Sequence, residues 1–264
     1  MTPLGVQPTV VSSPTEGIYR LARADPGPFE PRAWGFARPD GTFGNRFDDP
    51  AVHLPPEQRF QVLYCATQRH ATFGETLSSL RLSLPTAIGL QQVKDDESLE
   101  SVLSRSVDPE AFRRGLIREE WRLQNVIGHT ILNTDLQFVN LSSAETAQYL
   151  RHELAEEAVA HGATDIDQSL LMESRRGFTR QVARFFYEQR NADGSPSFAG
   201  IRYMSRHDLT WECWAIFVDR MKHVRGMPGI PQRIHPDDPD LMRIAALFEL
   251  TIETVDGSGH YYRP

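Results

Sequence analysis

The chain has 264 residues, 40% of them hydrophobic, enough to bury a substantial core in one large domain without requiring a second. Its formal charge of −7 argues against a general nucleic-acid binder, which needs a basic excess or a concentrated basic stripe, and no segment has the length and apolarity of a membrane span. The two cysteines, Cys65 and Cys213, belong to no Cys-x-x-Cys or Cys/His cluster and cannot alone make a secreted disulfide framework. With no basic leader or apolar run of a signal peptide at the N-terminus, a reducing, cytoplasmic setting is expected.

Residues 1–16, rich in Pro, Thr and Ser, read as a flexible lead-in, and Gly17-Ile18-Tyr19-Arg20-Leu21-Ala22 alternates as a short strand does. Prolines and glycines without period make 25–39 a loop, and Asp40-Gly41 and Gly44-Asn45 signal tight turns before Arg46-Phe47. The run 61–66 reads as a buried strand, followed by a helix carrying Phe73, Leu77 and Leu80, with Thr72 and Glu75 placed as a capping box at its start.

One or two charged helices are expected over 95–118, the second beginning at Asp108-Pro109. Segments 121–132 and 136–141 resemble strands joined at Asn133-Thr134-Asp135, the first open to a partly helical reading. Ser142 with Glu145 suggests another capping box, opening a helix that carries Ala147, Leu150 and Leu154 inward and stops near Gly162. An amphipathic helix follows over 177–190, with Phe178, Val182, Phe185 and Phe186 on one face. Segments 198–203 and 211–218 are strands, the second apolar on both faces and hence central in a sheet, and a last helix spans 239–248. Strands near both ends with helices between them indicate an α+β fold.

This pattern leaves Arg20, Arg46, Tyr64, Glu75 and the run Arg202-Tyr203-Met204-Ser205-Arg206-His207 near strand ends. Each has an ordinary structural reading. Arginines are mostly solvated, Tyr64 in a buried strand suits a core tyrosine, Glu75 suits a helix cap, Ser205 can end a strand, and Arg206 and His207 read as exposed. The histidines lack metal-ligand spacing, so no metal is expected.

Three stretches together resemble the RES domain, a family named for its arginine, glutamate and serine. Ile18-Tyr19-Arg20-Leu21 is similar to its opening strand. Gly44-Asn45-Arg46-Phe47, Leu63-Tyr64-Cys65-Ala66 and Thr72-Phe73-Gly74-Glu75 are similar to its Gly-Gly-Arg-Trp/Phe, Leu-Tyr-x-Ala and Ala-x-x-Glu signatures, with Glu75 eleven residues after Tyr64. Ala199-Gly200-Ile201-Arg202-Tyr203-Met204-Ser205-Arg206, with Trp214-Ala215-Ile216-Phe217 after it, resembles the Gly-Ile-x-Tyr-x-Ser-Arg strand and its partner. The chain departs from the pattern at Asn45, where Gly is usual, at Cys213, often Asn, in a longer interval through 48–59, and in an unmatched insertion near 85–120.

The resemblance implies a catalytic domain over 17–220 with a C-terminal extension, 221–264, packed on it. It further implies a split mixed sheet with flanking helices, like that of ADP-ribosyltransferases, and cleavage of NAD at the nicotinamide-ribose bond by a glycohydrolase or phosphorylase. NAD is then substrate, with no cofactor. Arg46, Tyr64, Glu75 and Ser205 become the expected catalytic set, and Arg20, Arg46, Tyr64, Ser205 and Arg206 the expected NAD contacts. Glu75 would stabilise the ribosyl cation, Arg46 the diphosphate, and Tyr64 the nicotinamide ring. Ser205 could orient the carboxamide, the ribose or Glu75 itself. Many relatives are toxins partnered by an antitoxin. Transfer of ADP-ribose to another acceptor, a non-catalytic NAD- or partner-binding module, and a homodimer all stay open at this level.

Overall fold

The computed structural model describes residues 5–84, 115–172, 176–223 and 229–254. Its strands, in chain order, are β1 (Val10–Ser12), β2 (Ile18–Arg23), β3 (Val62–Ala66), β4 (Leu116–Ile117), β5 (Asn125–Thr130), β6 (Gln137–Asn140), β7 (Gly200–Met204), β8 (Glu212–Phe217), β9 (Gln232–Arg233) and β10 (Thr251–Ile252). Eight of them make one mixed sheet in the order β1-β6-β7-β8-β3-β2-β5-β9, in which β6 and β7 run parallel and the other neighbours antiparallel. β4 and β10 pair in a separate parallel ribbon. The architecture is α+β: a large mixed sheet flanked by helices.

The helices are α1 (Arg69–Leu77), α2 (Glu119–Gln124), α3 (Ala144–Glu153), α4 (Ala155–Ala160), α5 (Gln168–Met172), α6 (Arg176–Glu188) and α7 (Pro239–Phe248). Period-two alternation divides the core between the two faces of the sheet. Cys213, Ala215 and Phe217 of β8 join Ala66, Ile201 and the helices, whereas Trp214 and Ile216 meet Ile18, Leu63 and Phe138 on the other face. The apolar run that suggests a central strand thus lies between β7 and β3, covered on both sides. α6 buries Phe178, Val182 and Phe186, one residue per turn, and holds Phe185 half-buried beside them. α7 begins and ends where the sequence suggests. Asp238 accepts from the backbone of Asp240 and Leu241, Pro239 occupies the first turn, and Glu249 closes the helix at φ 57°.

Several local readings are corrected. Val10–Ser12, inside the stretch expected to be flexible, pairs with β6 over three residues, a strand too short to show alternation. α1 starts at Arg69, three residues before the supposed cap, and Gln68 precedes it without a side-chain cap. Thr72 Oγ1 donates instead to the Arg69 carbonyl, as a hydroxyl inside a helix does. Ser143 caps α3 by accepting from Thr146 N, so the Ser142–Glu145 box is one residue out of register. The helix expected to run to Gly162 breaks at Leu154 (φ −126°, ψ 28°) and resumes as α4. Residues 121–124 are the end of α2, and β5 and β6, consecutive in the chain, stand far apart in the sheet. Of the charged helices expected over 95–118, all but the last four residues lie outside the described residues.

Candidate active site

β2 makes six register pairs with β5, and β3 makes five with β8, but β2 and β3 meet at one pair, Tyr19↔Ala66. At this seam in the sheet opens a cleft of about 430 Å³. Arg20 and Tyr64 line it from the two strands, Asn45 and Arg46 from the loop before β3, Glu75 from α1, and Tyr203, Arg206 and His207 from the end of β7. A second hollow of about 240 Å³ shares Arg20, Asn45 and Tyr64 with it.

Glu75 lies in the last turn of α1, and its Oε1 accepts a short hydrogen bond from Ser205 Oγ. Ser205 is fully buried, its Oγ accepts from His207 N at 3.0 Å, and its own N–H donates to Trp211 O at 2.9 Å. Of the three partners open to Ser205, Glu75 is the one that belongs to the protein, and the two are hydrogen-bonded. Ser205 has no exposed surface and is not among the residues lining the cleft, so its hydroxyl meets the Glu75 carboxylate from the protein side. Gly74, beside Glu75, lets the Trp211 ring lie against α1; a Cβ there would overlap the indole.

Arg46 projects from a loop fastened on both sides. Asp48, buried, accepts from Phe43 N at 2.9 Å, Asn45 N at 2.7 Å and Asn45 Nδ2 at 3.2 Å. Thr179 Oγ1 donates to the Arg46 carbonyl at 2.8 Å, Arg180 Nε donates to the Asn45 carbonyl at 3.1 Å, and Phe47 is wholly buried. The guanidinium lies 5.3 Å from the Tyr203 ring and donates to Met172 O at 3.5 Å. Among the described residues it makes no ion pair, and its only hydrogen bond is that long one to Met172 O. Asp49 ties in the longer stretch after Arg46, accepting from Ala51 N, Phe60 N and Arg184 Nη1 at 2.9 to 3.0 Å. Asn45, the departure from glycine, is used through its own side chain.

Tyr64 Oη accepts from Phe47 N at 2.8 Å, and burial holds its phenol well above the usual tyrosine range, so it stays protonated and keeps a proton to donate. Arg20 donates to the Pro28 and Glu30 carbonyls, and burial lowers its pKa. Cys65, on the cleft wall, has its thiol pKa pushed up to about 12 by burial, which disfavours the thiolate form.

The RES domain model matches residues 18–235, more than four fifths of the chain. The chain belongs to the RES family. No curated protein matches it, and no solved structure does. At the level of the family, RES domains are associated with NAD-processing, toxin-like enzymes.

The seam of this RES domain gathers Arg20, Arg46, Tyr64, Glu75 and Arg206 around one space, with Ser205 directly behind Glu75. Arg202, also noted in the sequence, is engaged elsewhere, bonded to Glu212 and Asn140 at 2.8 and 3.0 Å. His207 belongs to the cleft rather than to solvent. It is half-buried, and burial, then Arg206, Arg81 and Arg46, push its imidazole below the usual histidine range against the opposing influence of Glu75. Arg176, missed in the sequence, enters from the start of α6; no short-range spacing ties it to the cleft, which only the packing of α6 on the Arg46 loop creates. Among the described residues no three His, Cys, Asp or Glu side chains gather as a metal site requires, and no helix is long and apolar enough to cross a membrane.

Proposed function

We propose that this protein cleaves NAD at the nicotinamide-ribose bond in the cleft at the sheet seam. The observation that carries the reading is that, among the described residues, a single oriented carboxylate, Glu75, stands in a cleft whose other charged wall groups are arginines. Scission sends the bonding pair to the pyridinium nitrogen, releases neutral nicotinamide and leaves positive charge shared by the ribose C1′ and ring oxygen. A carboxylate held in place before reaction stabilises that charge without having to reorganise, and arginines suit the substrate's diphosphate.

Each group has a part in this reading. Ser205 fixes the Glu75 rotamer, Arg46 binds phosphate, and Tyr64 packs against the nicotinamide ring while its retained proton donates to the bound substrate. Arg20 and Arg206, which also line the cleft, supplement Arg46. The single-pair seam between β2 and β3 supports the comparison with the split sheet of ADP-ribosyltransferases.

Nicotinamide release from NAD by the purified chain, with and without phosphate, tests the proposal. Glu75→Gln keeps the shape and removes the charge, so a folded variant slowed by roughly 10²–10³ is expected. Release that survives unchanged in this variant refutes the mechanism, and phosphate dependence identifies phosphate rather than water as the acceptor.

A further inference from the structure

The cleft holds one arginine, Arg176, that the family signature does not account for. Arg176 reaches it from the first turn of α6, is exposed, and among the described residues its guanidinium has no carboxylate or hydrogen-bond partner. Arg206 reaches the same space from the end of β7, and among the described residues it makes only a 3.4 Å contact from its Nε to the ring of its neighbour His207. Arg46 stands on the loop packed against α6. Behind these, Arg38 and Arg180 add to the crowding: burial first, then Arg180, Arg38 and Arg206, depress the pKa of Arg176. Arg180 is partly answered by Asp40 at 4.0 Å and by the Asn45 carbonyl.

In a chain of net charge −7, converging arginines without matching carboxylates repel one another and persist where an anion relieves them. Glu75 does not serve this purpose, because its Oε1 is taken by Ser205 and its charge is directed to the reacting ribose. Among the described residues no carboxylate other than Glu75 lines the cleft, and an external anion is the partner that relieves the remaining charge.

We propose that Arg176 and Arg206 form a clamp, on two different elements bordering the cleft, that grips the diphosphate of the substrate with Arg46 beside them. The inference rests on the NAD reading and adds to it a phosphate ligand, Arg176, outside the family signature. Two guanidinium groups on separate elements bind a diphosphate through charge-assisted bonds that neither makes alone, and a shorter substrate without phosphates gains nothing from them.

The probe is ADP, which carries the diphosphate and no nicotinamide bond, with binding read by titration calorimetry on the full chain. Arg176→Ala, at an exposed position, is expected to weaken ADP binding by roughly tenfold to a hundredfold, as loss of a charged hydrogen bond does. Arg233→Ala, on the exposed edge strand β9, changes the net charge equally and should leave ADP binding within about twofold. In turnover, Arg176→Ala should raise KM for NAD at nearly constant kcat and leave release from nicotinamide riboside unaltered. ADP binding that is absent in wild type, or equal in wild type and Arg176→Ala, overturns the clamp even if NAD is cleaved. Binding that depends on Arg176 but not Arg233, in a protein releasing no nicotinamide, upholds the clamp and refutes the cleavage reading.

Discussion

Gly74→Ala sets helix propensity against packing. Glycine inside α1 should be improved by alanine by about 1 kcal/mol if the helix stood alone. The Cβ, however, would overlap the six-membered part of the Trp211 indole, closer than non-bonded carbons approach, and Trp211 is only 1% exposed with no room to withdraw. Overpacking of this kind costs about 1–3 kcal/mol, so the propensity gain is cancelled or outweighed and the expected net effect runs from about zero to a loss of about 2 kcal/mol. Trp211→Phe removes the atoms the methyl strikes, and because Trp211 Nε1 has no partner in the described protein, it sacrifices no hydrogen bond. Urea unfolding of both single variants and the double variant measures the coupling, which should be favourable in the double variant. Since the Trp211 carbonyl accepts from Ser205 N, the Gly74 variant should also slow nicotinamide release, and the double variant should recover part of it. A Gly74→Ala protein more stable than wild type by the propensity gain would refute the packing argument; a destabilised one with full activity would refute the link from Trp211 through Ser205 to Glu75.

The contact behind Glu75 and the titration of His207 give two further expectations. Ser205→Ala removes a hydroxyl that donates to a carboxylate and accepts from His207 N, at a site without solvent to replace it; a loss of about 2–3 kcal/mol in urea unfolding is expected, with kcat for NAD falling more than KM rises. The His207 imidazole should titrate below pH 6.5 by NMR, lower still in Glu75→Gln, which removes the influence that raises it, and higher in Arg206→Ala. Because its folded pKa is depressed, the unfolded chain takes up this proton first as pH falls; the associated stability is full above the ordinary histidine range and drains away between that range and the folded pKa. His70, depressed by burial and then by Arg243, contributes with the same sign, so the share of His207 is the difference between wild type and His207→Gln across that window.

Long apolar periods were readable because burial on a helix or sheet face repeats at fixed spacing. The stripe of α6, the two-sided burial of β8 and the Asp238-Pro239 start of α7 are each written in a few adjacent residues. Caps were misread because serine and threonine at neighbouring positions carry the same chemistry, and only the backbone decides which one turns. At α3 it is Ser143, and at α1 Gln68 precedes the helix without a cap, so Thr72 is interior. β1 depends on a partner 129 residues away in sequence, Val10 on Val139, and local pattern says nothing about that partner.

The site was legible to the extent that its groups carry a family spacing. Arg46, Tyr64 and Glu75 follow one another around the turn from loop to β3 to α1, so the chain order nearly dictates their meeting. What gives them a setting is non-local. Asp48 and Asp49 fasten the Arg46 loop, Trp211 seats α1 through Gly74, and Arg176 arrives on a helix a hundred residues beyond Glu75. The same distinction separates two kinds of residue at the site. Ser205 belongs to the family pattern yet touches no open space, whereas His207 and Arg176, which the pattern omits, face the cleft. Family spacing therefore marks both cleft-facing groups, Arg46, Tyr64 and Glu75, and their buried support, Ser205, whereas Arg176 and His207 reach the same cleft from positions that no local spacing marks.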